Sequence, residues 1–344
     1  MTRALRHLLA GAGVPAGDGA FLDWSRIILL QNLAGVPVER HLVDTYMGSL
    51  GFNVLVLGSD GRPSHFCKCR SVSNARLRHE LAVLTALGAD RRTRQAVPRT
   101  WGVQSDELRL LVSEYIRGTP FDRSVVNLSA SRWVDSMTEI LGVESRVAEA
   151  AGHVLPDAVD GRVSMHDAAG PSLEYLDANG LLEPDALNAL EEALRLGGRV
   201  EAQPQHGDLW PQNVVGWRGS WWLLDFEAFG DVVVPLYDAW HLVRKCSDLR
   251  RHWAGKHGTA PELWIDRLIG DSEEASASWH TVAVAAREHG LTSNQIVGGL
   301  AYYVSHIATE FHKRGGPRWY WEPHIQEARR LAYALPDLAA RCPA

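Results

Sequence analysis

The sequence predicts an α+β chain of two lobes, a small antiparallel-sheet N-lobe followed by a larger, mainly helical C-lobe. Three observations carry that reading. Short apolar stretches recur between residues 41 and 114, separated by turns bearing Gly and Asp, as hairpin-linked strands require. Within them, Ala75 to Leu87 spaces Leu77, Leu81, Leu84 and Leu87 as one face of a helix. From Phe121 onward the pattern is mainly helical, broken by a hairpin-like run at Val214 to Leu224.

In chain order, residues 21 to 34 have helix-like apolar density, with Asp23 as a candidate N-cap. Strands are expected over His41 to Met47 and Phe52 to Leu57, joined through Gly48-Ser49-Leu50-Gly51. The next, His65 to Arg70, follows the turn Ser59-Asp60-Gly61-Arg62 and carries Lys68 near its middle. Trp101 to Val103 and Leu108 to Glu114 complete a sheet of five strands. Tyr115 to Pro120 is a linker with the breakers Gly118 and Pro120. Helices are then expected near 127 to 151 and 183 to 197, with a loop rich in Gly, Asp and Pro between them, and near 260 to 269, 272 to 288, 292 to 314 and 323 to 339. The expected division is an N-terminal helical extension over 1–40, a sheet lobe over 41–115 and a helical lobe over 116–344.

Composition narrows the classes. The 344 residues are 46% hydrophobic and 22% charged, ordinary for a globular protein. No uncharged apolar run reaches the roughly 18 residues of a membrane span, and the basic N-terminus has too short an apolar segment for a secretory signal. Cys67 and Cys69 sit two apart in one strand, about 6.6 Å apart on one face, too far for a disulfide. With Cys246 and Cys342 they read as reduced core thiols of a cytoplasmic protein. No basic stripe suits nucleic acid, and a monomer or homodimer is expected. Residues 1 to 119 hold 15 basic and 10 acidic side chains, and residues 120 to 344 hold 20 and 31. That asymmetry suits a polyanionic nucleotide in the first part and a cationic substrate in the second. Only four residues are lysine, so Lys68, flanked by Phe66, Cys67 and Cys69, stands out as a cation in need of an anion.

The chemistry concentrates between Gln205 and His241. His206, Gly207 and Asp208 precede Asn213 by the spacing Asp-x-x-x-x-Asn, and a hairpin over Val214 to Leu224 leads to Asp225, Phe226 and Glu227. A hairpin returns its ends to one place, so Asn213 and Asp225 meet at its open end. One amide and one carboxylate oxygen suffice to hold Mg2+, a hard cation that keeps several waters. Asp208 is then the carboxylate that positions an acceptor hydroxyl for phosphoryl transfer. His206 reads as a structural residue that hydrogen-bonds this loop.

The run HGDLWPQN, then LLDFE, then Pro235-Leu236-Tyr237-Asp238 resembles the aminoglycoside phosphotransferase family, small-molecule relatives of protein kinases. The resemblance covers roughly residues 45 to 340 and implies a protein-kinase-like two-lobed fold. By that resemblance Asp208 is catalytic, Asn213 and Asp225 are metal ligands, and Asp238 buttresses the loop. Lys68 would contact phosphate and be held by Glu80. Gly48, Ser49 and Gly51 would cover the phosphates, and the backbone at Glu114 and Ile116 would bind the nucleobase. Glu227 and Asp231 are candidates for substrate contact. The chain departs from the family where three valines separate Gly230-Asp231 from Pro235.

The resulting expectation is a small-molecule O-phosphotransferase. It would move the γ-phosphate of ATP or GTP, with Mg2+, to a hydroxyl of an antibiotic, aminoglycoside-like or another sugar-bearing or nucleoside antibiotic, and so confer resistance by inactivation. HGDLW is also similar to fructosamine kinases, and a metabolic kinase of sugar, fructosamine or choline type is the alternative. A nucleotide-binding pseudokinase is a further rival, and the intact set of Lys68, Asp208, Asn213 and Asp225 speaks against it.

Overall fold

A computed structural model describes residues 31, 34–36, 40–45, 51–154, 161–253 and 262–341. The helix expected over 21–34 lies outside them except for Gln31 and Ala34, as do Gly48 and Ser49. Contacts gather the chain into two units, Met1–Ser73 with Gly102–Val112, and Asn74–Trp101 with Ser113–Ala344.

The first unit is built on a five-stranded antiparallel sheet in the order β1-β2-β3-β5-β4. Its strands are β1 (Arg40–Thr45), β2 (Gly51–Leu57), β3 (Pro63–Ser71), β4 (Thr100–Gln104) and β5 (Leu108–Glu114). The β2–β3 register sets Val54 against Cys67 and Asn53 against Lys68. Period-two alternation therefore puts Val54, Val56, Cys67 and Cys69 on one buried face, and Lys68 and Arg70 on the other. Both cations are buried, and Arg70 donates to Asn53 Oδ1 at 3.0 Å and to Cys69 O at 3.0 Å. Burial pushes the Cys67 thiol up to about 12 and Cys69 to about 11, so both stay protonated and unreactive.

The second unit begins with α1 (Ala75–Ala89), capped by Asn74, whose side chain accepts from Leu77 N at 2.8 Å. It buries Leu77, Glu80, Val83, Leu84 and Leu87, so Glu80 occupies an inward place and Leu81 is only half-buried. After the linker come β6 (Thr119–Pro120), α2 (Phe121–Val125), α3 (Ala130–Val154), β7 (Arg162–Ser164), α4 (Met165–Ala178), α5 (Pro184–Gly197) and β8 (Arg199–Glu201). The hairpin β9 (Val214–Trp217) and β10 (Ser220–Leu223) joins β6 in a sheet of order β10-β9-β6. The chain ends in α6 (Tyr237–Trp253), α7 (Trp264–Ile269), α8 (Glu273–Glu288), α9 (Ser293–Arg314) and α10 (Arg318–Arg341). Among the described residues no helix is long and apolar enough to cross a membrane.

Two helices depart from expectation. The loop expected between residues 151 and 183 contains α4, which Gly170 and Pro171 disguise. Ser164 caps it by accepting from Asp167 N at 3.2 Å, and Met165, Ala169, Leu173 and Leu176 are buried along it. Helix α6 lies outside the helices the sequence pattern predicts, because its first turn coincides with the end of the motif-bearing run.

The linker passes close to the hairpin. Thr119 pairs with Gly216 and Pro120 with Val215. A Cβ on Gly118 would lie 2.4 Å from both Gly216 O and Val215 Cγ1. Gly118→Ala should therefore destabilise the fold by about 1–3 kcal/mol. Gly88→Ala, within α1 and with no atom within 4 Å of the added Cβ, should be neutral or stabilising by up to about 1 kcal/mol. Chemical denaturation of both variants checks the contrast.

Candidate active site

The hairpin turns through Arg218 and Gly219, both left-handed at φ 52° and 75°, as a two-residue type I′ turn demands. At its open end Leu224 N donates to Asn213 O at 2.8 Å, which brings Asn213 and Asp225 together. Asp225 is held at φ 65°, a strained backbone for a residue with a Cβ. Glu80 Oε1 accepts from Phe226 N at 3.2 Å, and His79 Nε2 donates to Phe229 O at 2.7 Å, so α1 is tied to the segment after the hairpin. Carboxylate oxygens of Glu80, Asp225 and Glu227 lie within 4.8 Å of one another. Glu227 thus stands with the cation ligands expected at Asp225, while Asp231 is exposed in the following turn.

The loop before the hairpin is fixed from two sides. Asp238, fully buried at the start of α6, accepts from His206 N at 2.5 Å (Oδ2) and from Gly207 N at 3.1 Å (Oδ1). His206, also buried, donates through Nε2 to Leu224 O at 2.9 Å and packs on Phe226. Gly207 has φ 80°, and a Cβ there would meet Ala228 O at 2.6 Å, so only glycine fits. The three intervening valines also have a structural explanation. Val232 O and Val233 O accept from Gln205 N and Gln203 N, each at 2.9 Å, and so run beside the chain entering the loop.

Asp208 is half-exposed at 50% of its side chain. Its Oδ2 accepts from Asn213 Nδ2 at 3.2 Å, and its backbone O accepts from the same nitrogen at 2.9 Å. The amide nitrogen being engaged, Asn213 Oδ1 is left to serve as a ligand oxygen. Asp208 Oδ1 lies 3.6 Å from Nε2 of buried His241, just beyond hydrogen-bond reach. Partial burial raises the Asp208 carboxyl, but the N–H dipole of the facing His241 and the charge of Lys245 outweigh it and hold it below the usual range. Burial pushes His241 down to about 4, so the imidazole is neutral at pH 7 and its Nδ1 faces Tyr303 OH at 3.2 Å. Neither His241 nor Lys245 belongs to a sequence motif of the site. Their signal, positions three and seven after Asp238 on one helix face, appears only once α6 is known.

Lys68 belongs to the first unit, on β3, and Glu80 to the second. In the linker, Glu114 N donates to Arg99 O at 3.0 Å and Ile116 O accepts from Gly118 N at 2.9 Å, while Ile116 N finds no partner among the described residues. A separate cavity of about 800 Å3, lined by Asp122, Arg123, Asn127 and Arg250 among others, includes none of the site residues.

No protein-family model matches the chain, and no curated protein matches it. Among solved structures, it is similar to glucosamine kinase in complex with glucosamine, ADP and inorganic phosphate, at 14% identity and a TM-score of 0.53, covering 89% of this chain and 85% of that one. It is also similar to APH(2")-IIia in its GDP and kanamycin complex, at 12% identity and a TM-score of 0.55, covering 93% and 99%. The ADP-bound aminoglycoside phosphotransferase APH(2'')-Ib matches at 12% identity and a TM-score of 0.53, covering 91% and 99%. Likeness at these identities establishes the fold, the kinase-like one of a sheet lobe and a helical lobe.

Behind the loop, Glu144 on α3 is buried, and among the described residues its Oε1 has no hydrogen-bond partner. Burial, then repulsion from Asp238 and Glu288, raises Glu144 well above the ordinary carboxylate range. Asp238 is raised too, by burial, but it accepts backbone N–H groups, so the proton of this pair resides on Glu144. Native Glu144 therefore keeps a proton that the unfolded chain releases near pH 4.5. This contribution to stability is full below that pH and is lost as pH rises. Glu144→Gln should accordingly gain stability relative to the parent as pH rises from about 5 to 8, converging near pH 4.5. Denaturant melts across that range check it.

Proposed function

We propose that the chain is an O-phosphotransferase that moves the terminal phosphate of ATP or GTP to a hydroxyl of a small molecule. The observation that carries this reading is the joint placement of half-exposed Asp208, an Asn213 amide oriented by it, and the Asp225 carboxylate across the hairpin end. Oxygen donors of this kind fit Mg2+. Asn213 and Asp225 would hold the ion, with Glu227 within reach, and the ion would offset the charge of the phosphate oxygens.

Asp208, ionised at neutral pH, accepts a hydrogen bond from the acceptor hydroxyl and orients its oxygen toward the γ-phosphorus; as the new P–O bond forms, the bond from that phosphorus to the β–γ bridging oxygen breaks, the nucleoside diphosphate leaves, and Asp208 takes the hydroxyl proton. In this reading Lys68, on β3, is the nucleotide-phosphate contact of the first unit, the sheet-bearing nucleotide lobe. Ile116 N, without a partner among the described residues, is a donor available to the nucleobase beside Glu114. His206 and Asp238 hold the loop.

An antibiotic acceptor, and hence resistance by inactivation, is the first class to test, with Glu227 and Asp231 as candidate contacts. The neighbours bound to glucosamine and kanamycin support a sugar-bearing acceptor, which a metabolic sugar kinase would share. Calorimetric binding of ATP and GTP with and without Mg2+, alongside turnover, tests the assignments. Asp225→Ala should lose the Mg2+-dependent part of nucleotide affinity and all turnover. Asp208→Ala should keep nucleotide affinity and lose about a hundredfold to ten-thousandfold in turnover. Full turnover in Asp208→Ala would overturn the reading.

A further inference from the structure

The side of Asp208 away from the cation ligands has its own chemistry. Oδ2 faces Asn213, whereas Oδ1 faces His241. Lys245 lies one turn beyond His241 on the same face of α6, and its charge acts on Asp208. The Lys245 ammonium is framed by two rings, 5.6 Å from the centroid of Trp210 and 5.8 Å from that of Phe311. Among the described residues it has no carboxylate within 4.0 Å and no hydrogen-bond acceptor, and its half-buried side chain leaves the ammonium open to solvent.

The acids near it are already engaged. Asp248 pairs with Arg267 at 2.7 Å, and Glu327 pairs with Arg244 at 2.6 Å. A second cation, Arg314, stacks 5.4 Å from the centroid of Phe311, likewise without a carboxylate partner among the described residues. An open ammonium with its stem and flanks covered by two aromatic faces, and without a carboxylate partner, is placed to meet an anion that enters beside the rings. Aromatic faces also suit the C–H surface of a sugar ring.

We propose that Lys245, framed by Trp210 and Phe311, is the anion-binding group of the acceptor subsite, and that the acceptor carries an oxyanion, carboxylate or phosphate, near the hydroxyl that meets Asp208. This rests on the reading of Asp208 as the hydroxyl-positioning residue. It makes an anionic sugar derivative the favoured acceptor over a polycation. Trp210 and Phe311 fix the ammonium laterally and leave its open side to the ligand.

The four lysines, Lys68, Lys245, Lys256 and Lys313, allow a direct test. Reductive 13C-dimethylation of the full chain keeps each charge, and the spectrum of Lys245→Arg assigns the Lys245 signal. With the nucleotide site saturated by Mg2+ and a non-hydrolysable ATP or GTP analogue, the protein is titrated with glucose, glucosamine, glucuronate and glucose 6-phosphate. The Lys245 signal should shift saturably with glucuronate or glucose 6-phosphate, the stronger binder telling carboxylate from phosphate. Glucose and glucosamine should bind at least about tenfold more weakly, the worth of one charge-assisted contact. In transfer assays Lys245→Met should raise KM for the anionic acceptor by about tenfold and for glucose far less. Glucosamine or glucose binding as tightly as the anions, or anions that leave the Lys245 signal unmoved, would overturn the proposal. So would an equal fall in kcat with every acceptor, which would make Lys245 a mere electrostatic support of Asp208. Failure of the phosphotransferase reading shows separately, as transfer indifferent to Asp208→Ala.

Discussion

The site hangs on one buried carboxylate. Asp238 accepts the N–H groups of His206 and Gly207, and Gln205 Oε1 in turn accepts from Asp238 N at 3.3 Å. A carboxylate excluded from water is tolerable only when such donors surround it. The hydrogen bonds hold the chain in the left-handed turn at Gly207, and that turn presents Asp208. On the other side His206 donates to Leu224 O, which ties the loop to the hairpin end. Glu80 completes the frame by fixing Phe226 N beside the strained Asp225.

Charge is arranged asymmetrically around Asp208. Carboxylates of Glu80, Asp225 and Glu227 gather beyond the Asn213 side. The opposite side carries a neutral His241 and two cations, Lys245 and Arg314, set against Phe311. A phosphotransferase needs the first arrangement for any acceptor. The second bears on which acceptor is chosen, and it tempers the inference from net charge, since an acidic second half does not make every pocket within it acidic.

Much of this was legible in the sequence. The period-two runs place β2, β3 and β5 correctly, and the hairpin ends bring Asn213 and Asp225 together as their spacing requires. Local pattern fails where tertiary contacts decide. Helix α4 survives Gly170 and Pro171 because Met165, Ala169, Leu173 and Leu176 are buried along it. Glu80 reads as a polar helix position until Phe226 N is found 146 residues away. The interval Val232–Val234 looks like an irregular insertion until its carbonyls are seen to pair with Gln203 and Gln205. His241 and Lys245 become site residues only through the phase of α6, which no single motif encodes.

The central claim is that Asp208 directs transfer of a terminal phosphate to an organic hydroxyl. Phosphorus NMR of the protein with Mg2+, ATP or GTP and a panel of aminoglycosides, nucleoside antibiotics, macrolides, neutral sugars and anionic sugars tests it most directly. The account predicts a new phosphomonoester resonance that grows as the γ-phosphate disappears and is absent with Asp208→Ala. Nucleotide that binds with Mg2+ while its γ-phosphate goes only to water, at one rate in the parent and in Asp208→Ala, would contradict it.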